Sequence, residues 1–205
     1  MSTPPAVLVV DDDHDVADLY ATYLGEDYEV WTAYSGTEAI DVLDDEPDVV
    51  LLDRRMPGLS GDEVLERIRE REIDCRVGMV TAVEPDFNIV DMPFDDYVVK
   101  PVTAADLRSL VESLLARKTY NEKIQEYFAV ASKRAALMEE KTEAALQESE
   151  EYARLKARAE ELEAELDDIR EDMSPDDIHA LLGDVEVGVG APSGDAGEAG
   201  AVDGG

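Results

Sequence analysis

The sequence predicts a five-stranded, doubly wound parallel α/β sheet, then an all-α extension and a disordered acidic tail. Three observations carry this. From Ala6 to about Lys118, short β-branched runs alternate with helical patterns, as expected of a parallel sheet covered on both faces. Between Pro101 and Pro175 there is neither Gly nor Pro, and Ala, Glu, Leu, Lys and Arg dominate, which favours long helix. Beyond Gly183 the Gly/Ala/Asp-rich stretch GVGAPSGDAGEAGAVDGG holds too little apolar surface to order itself. The expected domains are 1–118, 119–182 and 183–205.

The first region divides into strands at 6–10, 28–32, 49–53, 77–81 and 96–99, with helices at about 14–24, 35–45, 61–71, 85–91 and 103–117. Ser35 with Glu38 three residues on forms a capping-box pattern, followed by Ala39, Ile40 and Leu43 on one face. Thr103 and Asp106 repeat the pattern ahead of the stripe Leu107, Leu110, Val111, Leu114 and Leu115. In the second region Tyr152, Leu155, Ala159, Leu162, Leu166, Ile169 and Met173 alternate steps of three and four, a heptad seam. Upstream, Tyr120, Ile124, Tyr127, Phe128, Ala131, Ala135 and Met138 suggest another stripe, but the phase is lost over 141–149. Both one long coiled-coil helix with a stutter and an antiparallel helical hairpin remain open. Ser174 and Pro175 would end this helix and start a short one through Leu182.

At 205 residues and 44% hydrophobic content, the chain can bury a real core. Its formal net charge of −33 argues against nonspecific attraction to nucleic acid or anionic membrane. The excess is general: 28 acids against 10 bases over 1–118, and 23 against 8 over 119–205. Such a spread points to a salt-rich cytoplasm, where screening suppresses self-repulsion. The single cysteine, Cys75, excludes an intramolecular disulfide and fits a reducing interior. With no basic-apolar leader and no apolar run of bilayer length, a cytoplasmic, soluble protein is expected.

Three of the strand-like runs end in chemically active residues. Val7-Leu8-Val9-Val10 runs into Asp11, Asp12 and Asp13; Val49-Val50-Leu51-Leu52 into Asp53; Tyr97-Val98-Val99 into Lys100 and Pro101. Parallel α/β sheets gather functional groups at the carboxyl ends of their strands, so these groups can converge. Clustered carboxylates there suit a hard divalent cation, with Asp11, Asp12 and Asp53 as acidic ligands. With such a cation spreading charge, Asp53 is able to attack a phosphoryl donor. Lys100 would pair with one phosphoryl oxygen as a point charge, and Thr81, ending Val77-Gly78-Met79-Val80, would donate its hydroxyl to another. Backbone N–H groups after Asp53 and Thr81 would complete the anion cradle.

The stretches LVVDDD, VVLLD followed by MPGLSG, MVTA and DDYVVKP together resemble the receiver (CheY-like) domain of two-component response regulators, in that family's order and from Ala6 to roughly Arg117. The resemblance implies a flavodoxin-like receiver fold with Asp53 as phosphoacceptor and Asp11 and Asp12 as Mg2+-binding acids. It further implies Thr81 as the switch hydroxyl, Lys100 as the phosphate-pairing lysine and Tyr97 as an aromatic rotamer switch. The backbone carbonyl of Arg55 would be a further metal ligand, Pro57-Gly58 a turn and Lys100-Pro101 a cis peptide. Two features depart from the family. The segment 83–93 is short and proline-bearing for a fourth helix, and Arg55 places a cation where many relatives are neutral. The region 120–173 resembles the HalX domain, an acidic helical extension found behind haloarchaeal receivers.

Other residues take ordinary roles. His14 follows the acids in a first helical turn and His179 lies in a polar segment, so both are expected in solvent, while Trp31 is expected in the core or packed on a helix rather than as a ligand platform. Arg67, Arg69 and Arg71 alternate with Glu66, Glu70 and Glu72, as on a salt-bridged helix surface. The expected function is that of a response regulator in a phosphorelay, phosphorylated by a sensor histidine kinase with Mg2+ and signalling to an output protein through its extension, rather than an enzyme acting on other substrates. The alternative is a DNA-binding transcriptional regulator, which the acidic extension and the lack of a basic recognition helix disfavour. The seam 152–173 is also a candidate homodimer element.

Overall fold

The computed structural model describes residues 3–175, 177, 178 and 181. The tail over 183–205, His179 and the end of the short helix expected through Leu182 lie outside these residues.

Strands β1 (Ala6–Val10), β2 (Glu29–Ala33), β3 (Val49–Leu52), β4 (Arg76–Thr81) and β5 (Asp96–Val99) form one parallel sheet in the order β2-β1-β3-β4-β5. Helices α1 (His14–Leu24), α2 (Gly36–Val42) and α3 (Gly61–Glu70) are the crossovers between the first four strands, and α4 (Ala104–Glu140) follows β5. A short α5 (Glu143–Gln147) and α6 (Glu150–Asp172) follow. Right-handed crossovers that reverse direction after β2 send helices to opposite faces. Side chains alternate along each strand accordingly. Val7 and Val9 pack with Ala17 and Leu24 of α1 and Leu107, Val111 and Leu114 of α4. Leu8 and Val10 pack with Ile40 of α2 and Val64 and Ile68 of α3.

Each receiver-region helix starts where a side chain satisfies its free N–H groups. Asp13 caps α1, and Ser60 with Glu63 and Thr103 with Asp106 form full capping boxes on α3 and α4. At α2 the box is displaced: Ser35 accepts from Glu38 N, but Glu38 accepts from Tyr34 N at 2.8 Å, one residue before the cap.

Two of the expected helices need correction. The helix expected over 85–91 is a single 3-10 turn at Phe87–Ile89, capped by Asp86. Pro85 and Pro93 bracket a stretch too short to offset helix nucleation, and with Phe87 92% and Val90 75% exposed no burial compensates. The helix expected to end near 117 instead runs unbroken to Glu140, because no breaker follows Leu115.

The open choice in the extension resolves as a hairpin. Lys141 is extended, Thr142 caps α5 and Ser149 caps α6, so the phase loss over 141–149 is a chain reversal. Lys123 pairs with Glu165, Glu126 with Arg158 and Tyr127 with Glu163, placing α6 antiparallel to α4. Every seam residue from Tyr152 to Met173 is buried or half-buried, and Leu155, Ala159 and Leu162 pack on Tyr127 and Val130 of α4. The seam is therefore covered within its own chain. The upstream stripe is corrected too: Phe128, Ala135 and Met138 are exposed, whereas Val130 and Leu137 turn inward. The inward line steps from Tyr127 through Val130 and Arg134 to Leu137, following the supercoiled partner rather than the largest side chains. From Ser174, whose hydroxyl accepts from Asp177 N at 3.2 Å, a separate unit begins.

Candidate functional site

Strand register brings the active residues to one edge. Val10 lies opposite Leu52, Leu52 opposite Met79, and Thr81 opposite Val99. The ladder continues one residue further, with Asp53 N donating to Val10 O at 2.9 Å and Lys100 N to Thr81 O at 2.8 Å. Asp11 and Asp53 thus leave adjacent strands side by side, near the point where strand order reverses.

Lys100 Nζ donates to Asp11 Oδ2 at 2.5 Å and to Asp53 Oδ2 at 2.8 Å. Asp11, 2% exposed, also accepts from Asp13 N through Oδ1 at 3.1 Å, which fixes its orientation. Its burial pushes the Asp11 carboxyl above the usual carboxylate range despite the Lys100 hydrogen bond. Burial also opposes the charged Lys100 ammonium, but the hydrogen bonds it donates to Asp11 and Asp53 outweigh it and hold Lys100 above the ordinary lysine range.

Asp11, Asp12 and Asp53 each present a carboxylate oxygen, all within 4.8 Å of one another. A small divalent cation takes oxygens at about 2.0–2.1 Å, so the three acids are near enough for side-chain rotation to bring them onto one ion. Three carboxylates against one ammonium leave net negative charge for a cation to meet, and exposed Asp12 opens the cluster to water. The donor set fits a hard divalent ion.

Thr81 is fully buried at the end of β4, and its hydroxyl accepts from Val83 N at 3.3 Å. Tyr97 is half-buried, leans on Phe94, and donates its hydroxyl to Val83 O at 2.8 Å. The two residues therefore meet on one residue, Val83, at its N–H and its carbonyl, which sequence reasoning did not single out. Arg55 N donates to Asp53 Oδ1 at 3.3 Å while its side chain is exposed. The Lys100-Pro101 peptide is cis, and Gly58 takes a φ of 80° in the turn after Pro57, a conformation glycine adopts without steric cost.

Arg54 and Gly61 were also missed. Arg54 is 8% exposed and its Nε donates to both Asp62 carboxylate oxygens at 3.0 and 3.2 Å, bracing the loop after Asp53; the Asp62 hydrogen bonds raise its already high pKa. At Gly61 a Cβ would lie 2.1 Å from Asp53 O, so only glycine lets α3 start this close to β3. The eight-residue spacing of Arg54 and Asp62 carries no periodic signal, which is why the pair is invisible in sequence.

His14 and Trp31 take the ordinary roles expected of them, while Arg69 and Arg71 find other partners than their helix neighbours. His14 stacks on Tyr34 at 4.0 Å, and Trp31 packs half-buried against the core. Arg69 pairs with Asp95 and Arg71 with Asp44, so their partners come from outside the helix. Cys75 is buried, and desolvation pushes its thiol up to about 11, leaving it unreactive. No helix among the described residues is long and apolar enough to cross a membrane.

Comparison with known proteins agrees with this geometry. The response regulator receiver domain family matches residues 7–112 and the HalX domain family residues 116–182. A Haloferax volcanii protein provisionally described as a transcriptional regulator is 54% identical over 160 residues, 78% of this chain but 27% of that protein. The chain thus spans roughly a quarter of that relative's length. The signal receiver domain of a provisionally described Luxo repressor from Vibrio parahaemolyticus superposes with a TM-score of 0.56 at 28% identity, covering 59% of this chain and 97% of that one. A CheY-like response regulator receiver domain protein from Methanospirillum hungatei JF-1 gives 0.54 at 27% identity, covering 57% and 98%.

Proposed function

Since this chain belongs to the response regulator receiver family and carries a HalX domain behind its receiver, we propose that Asp53 accepts a phosphoryl group from a sensor histidine kinase and that the helical extension delivers the consequence to a partner protein. One observation carries the proposal: Asp53, Asp11 and Lys100 are joined by hydrogen bonds of 2.5 and 2.8 Å at the sheet edge, with Asp12 beside them. An Asp53 carboxylate oxygen forms the new O–P bond as the P–N bond to the donor imidazole breaks, and the leaving imidazole takes up a proton. Asp11, Asp12, Asp53 and the carbonyl of Arg55 would hold Mg2+, which when bound neutralises charge on the transferring group. Lys100 pairs with a phosphoryl oxygen.

The chemistry is confined to the chain's own phosphorylation and its reversal. Added charge on Asp53 draws the Thr81 hydroxyl away from Val83 N, and Tyr97, held on Val83 O, repacks with it. The division into receiver (1–118), extension (119–182) and tail (183–205) belongs to the same reading. With the seam of α6 covered by α4, output or self-association uses other surfaces.

The relative's description as a transcriptional regulator favours a second reading, DNA binding through the extension. Against it stand 23 acids and 8 bases over 119–205. A mobility-shift assay in molar salt separates the two. The primary test is labelling by a small acyl phosphate with Mg2+: wild type takes up one phosphoryl group and Asp53→Ala none, and equal labelling refutes the acceptor assignment.

A further inference from the structure

Arg117 and Lys118 grip the strands of the site from its far end. Arg117 is 5% exposed and donates to Asp95 O at 2.9 Å and to Asp96 Oδ2 at 2.8 Å, where β5 begins. Asp96 passes the bond on, since its Oδ1 accepts from Tyr97 N at 2.8 Å. Lys118 donates to Asp48 Oδ1 at 2.8 Å, just before β3, and Asp48 Oδ2 accepts from Ala6 N at 2.9 Å. Asp95 is itself held by Arg69, Arg76 and Val77 N, so the anchor is part of a network across α3, β4 and β5.

The strands gripped are those that end in Asp53 and Lys100. At one end of the sheet these two side chains bond each other; at the other, consecutive residues of one helix hold their strands. That helix continues without a break to Glu140 and forms half of the hairpin. The geometry points to Arg117 and Lys118 as positioning residues that couple the state of the Asp53 site to the orientation of the α4–α6 hairpin. When Lys100 turns from Asp53 to a phosphoryl oxygen, β3 and β5 shift relative to each other, and the rigid helix carries that shift outward. Buried, bidentate arginine is suited to this because both of its bonds must move together. Arg108, on the same helix, is a control, since it ties α4 to Tyr23 O and Glu26 beyond α1 instead.

This inference rests on the phosphoacceptor reading, and the test separates the two. In the full chain, spin labels at Glu70→Cys on α3 and Ala164→Cys on α6 report the distance between receiver and hairpin, before and after treatment with a small acyl phosphate and Mg2+. Uptake of label is measured on the same samples. Wild type is expected to load and to shift its distance; Arg117→Gln and Lys118→Gln load equally but lose at least half of the shift, Lys118→Arg restores it, and Arg108→Gln leaves it intact. Asp96→Asn removes the Arg117 contact from the strand side and should match Arg117→Gln, which guards against a folding defect in either variant. Equal loading with an undiminished shift in these variants, or loading of wild type without any shift, overturns the coupling while leaving the acceptor in place. No loading of wild type overturns both.

Discussion

Replacing Lys100 with methionine probes the charge balance of the site. The change keeps the chain length and removes the ammonium that two carboxylates share. Side-chain exposure is 16% for Lys100, 3% for Asp11 and 12% for Asp53, so solvent screening discounts the pairs little. Breaking a buried ion pair by deleting one partner costs about 3–5 kcal/mol, because the remaining charge is left uncompensated. Over a chain of this size that corresponds to a drop in Tm of roughly 6–12 °C at the low end of the range. A divalent cation can take the place of the lost ammonium, so Mg2+ should raise the Tm of Lys100→Met more than that of wild type. The assay is thermal unfolding by circular dichroism in molar salt, with chelator and then with Mg2+ added. A variant within about 0.5 kcal/mol of wild type in chelator, or equal Mg2+ shifts for both proteins, would refute the reasoning that the three acids form one electrostatic unit.

Leu162, fully buried between α4 and α6, should cost about 2–5 kcal/mol on truncation to alanine, whereas Phe128→Ala, at a position 56% exposed, should change stability by no more than about 0.5 kcal/mol; denaturant titration followed by helical ellipticity distinguishes them. Gly61→Ala should push α3 off Asp53 O and lower the rate of acyl-phosphate labelling by about tenfold, the effect of a 1.4 kcal/mol rise in barrier. Hydrogen bonds from the Thr103 hydroxyl and N–H hold Asp106 below 3.8, and those from Ser60 hold Glu63 below 4.5; at Asp48, burial raises the pKa but Lys118 and Ala6 N outweigh it. Because these folded-state values lie below the unfolded ones, their stabilisation is complete above about pH 4.5 and is lost as pH falls through the folded values. Tm should therefore hold from pH 8 to 5 and fall below 4.5, and Asp106→Asn with Glu63→Gln should flatten the fall.

Where sequence and structure agree, the interaction is local or periodic. The strands ending at Val10, Leu52 and Val99, the capping boxes at Thr103 and the seam from Tyr152 to Met173 are each written in short windows of chain. Convergence of Asp11, Asp53 and Lys100 was legible because parallel strands put their carboxyl ends at one edge. The fourth helix over 85–91 does not form, and nothing local reveals that Phe87 and Val90 find no surface to cover. The α4 stripe differs at Phe128 for the opposite reason, since its phase is set by α6, which lies across a turn.

By itself, then, the sequence determined the alternation of strands and helices, the edge where the acids and the lysine gather, and the apolar seam of the extension. Backbone periodicity and strand polarity are properties of neighbouring residues, and they need no knowledge of distant ones. Tertiary structure alone decided that the extension folds back as a hairpin, that Arg54 braces Asp62, that Thr81 and Tyr97 meet on Val83, and that Arg117 and Lys118 hold β5 and β3. Those outcomes depend on which distant surfaces and charges come within a few ångströms, and that is settled only when the whole chain packs.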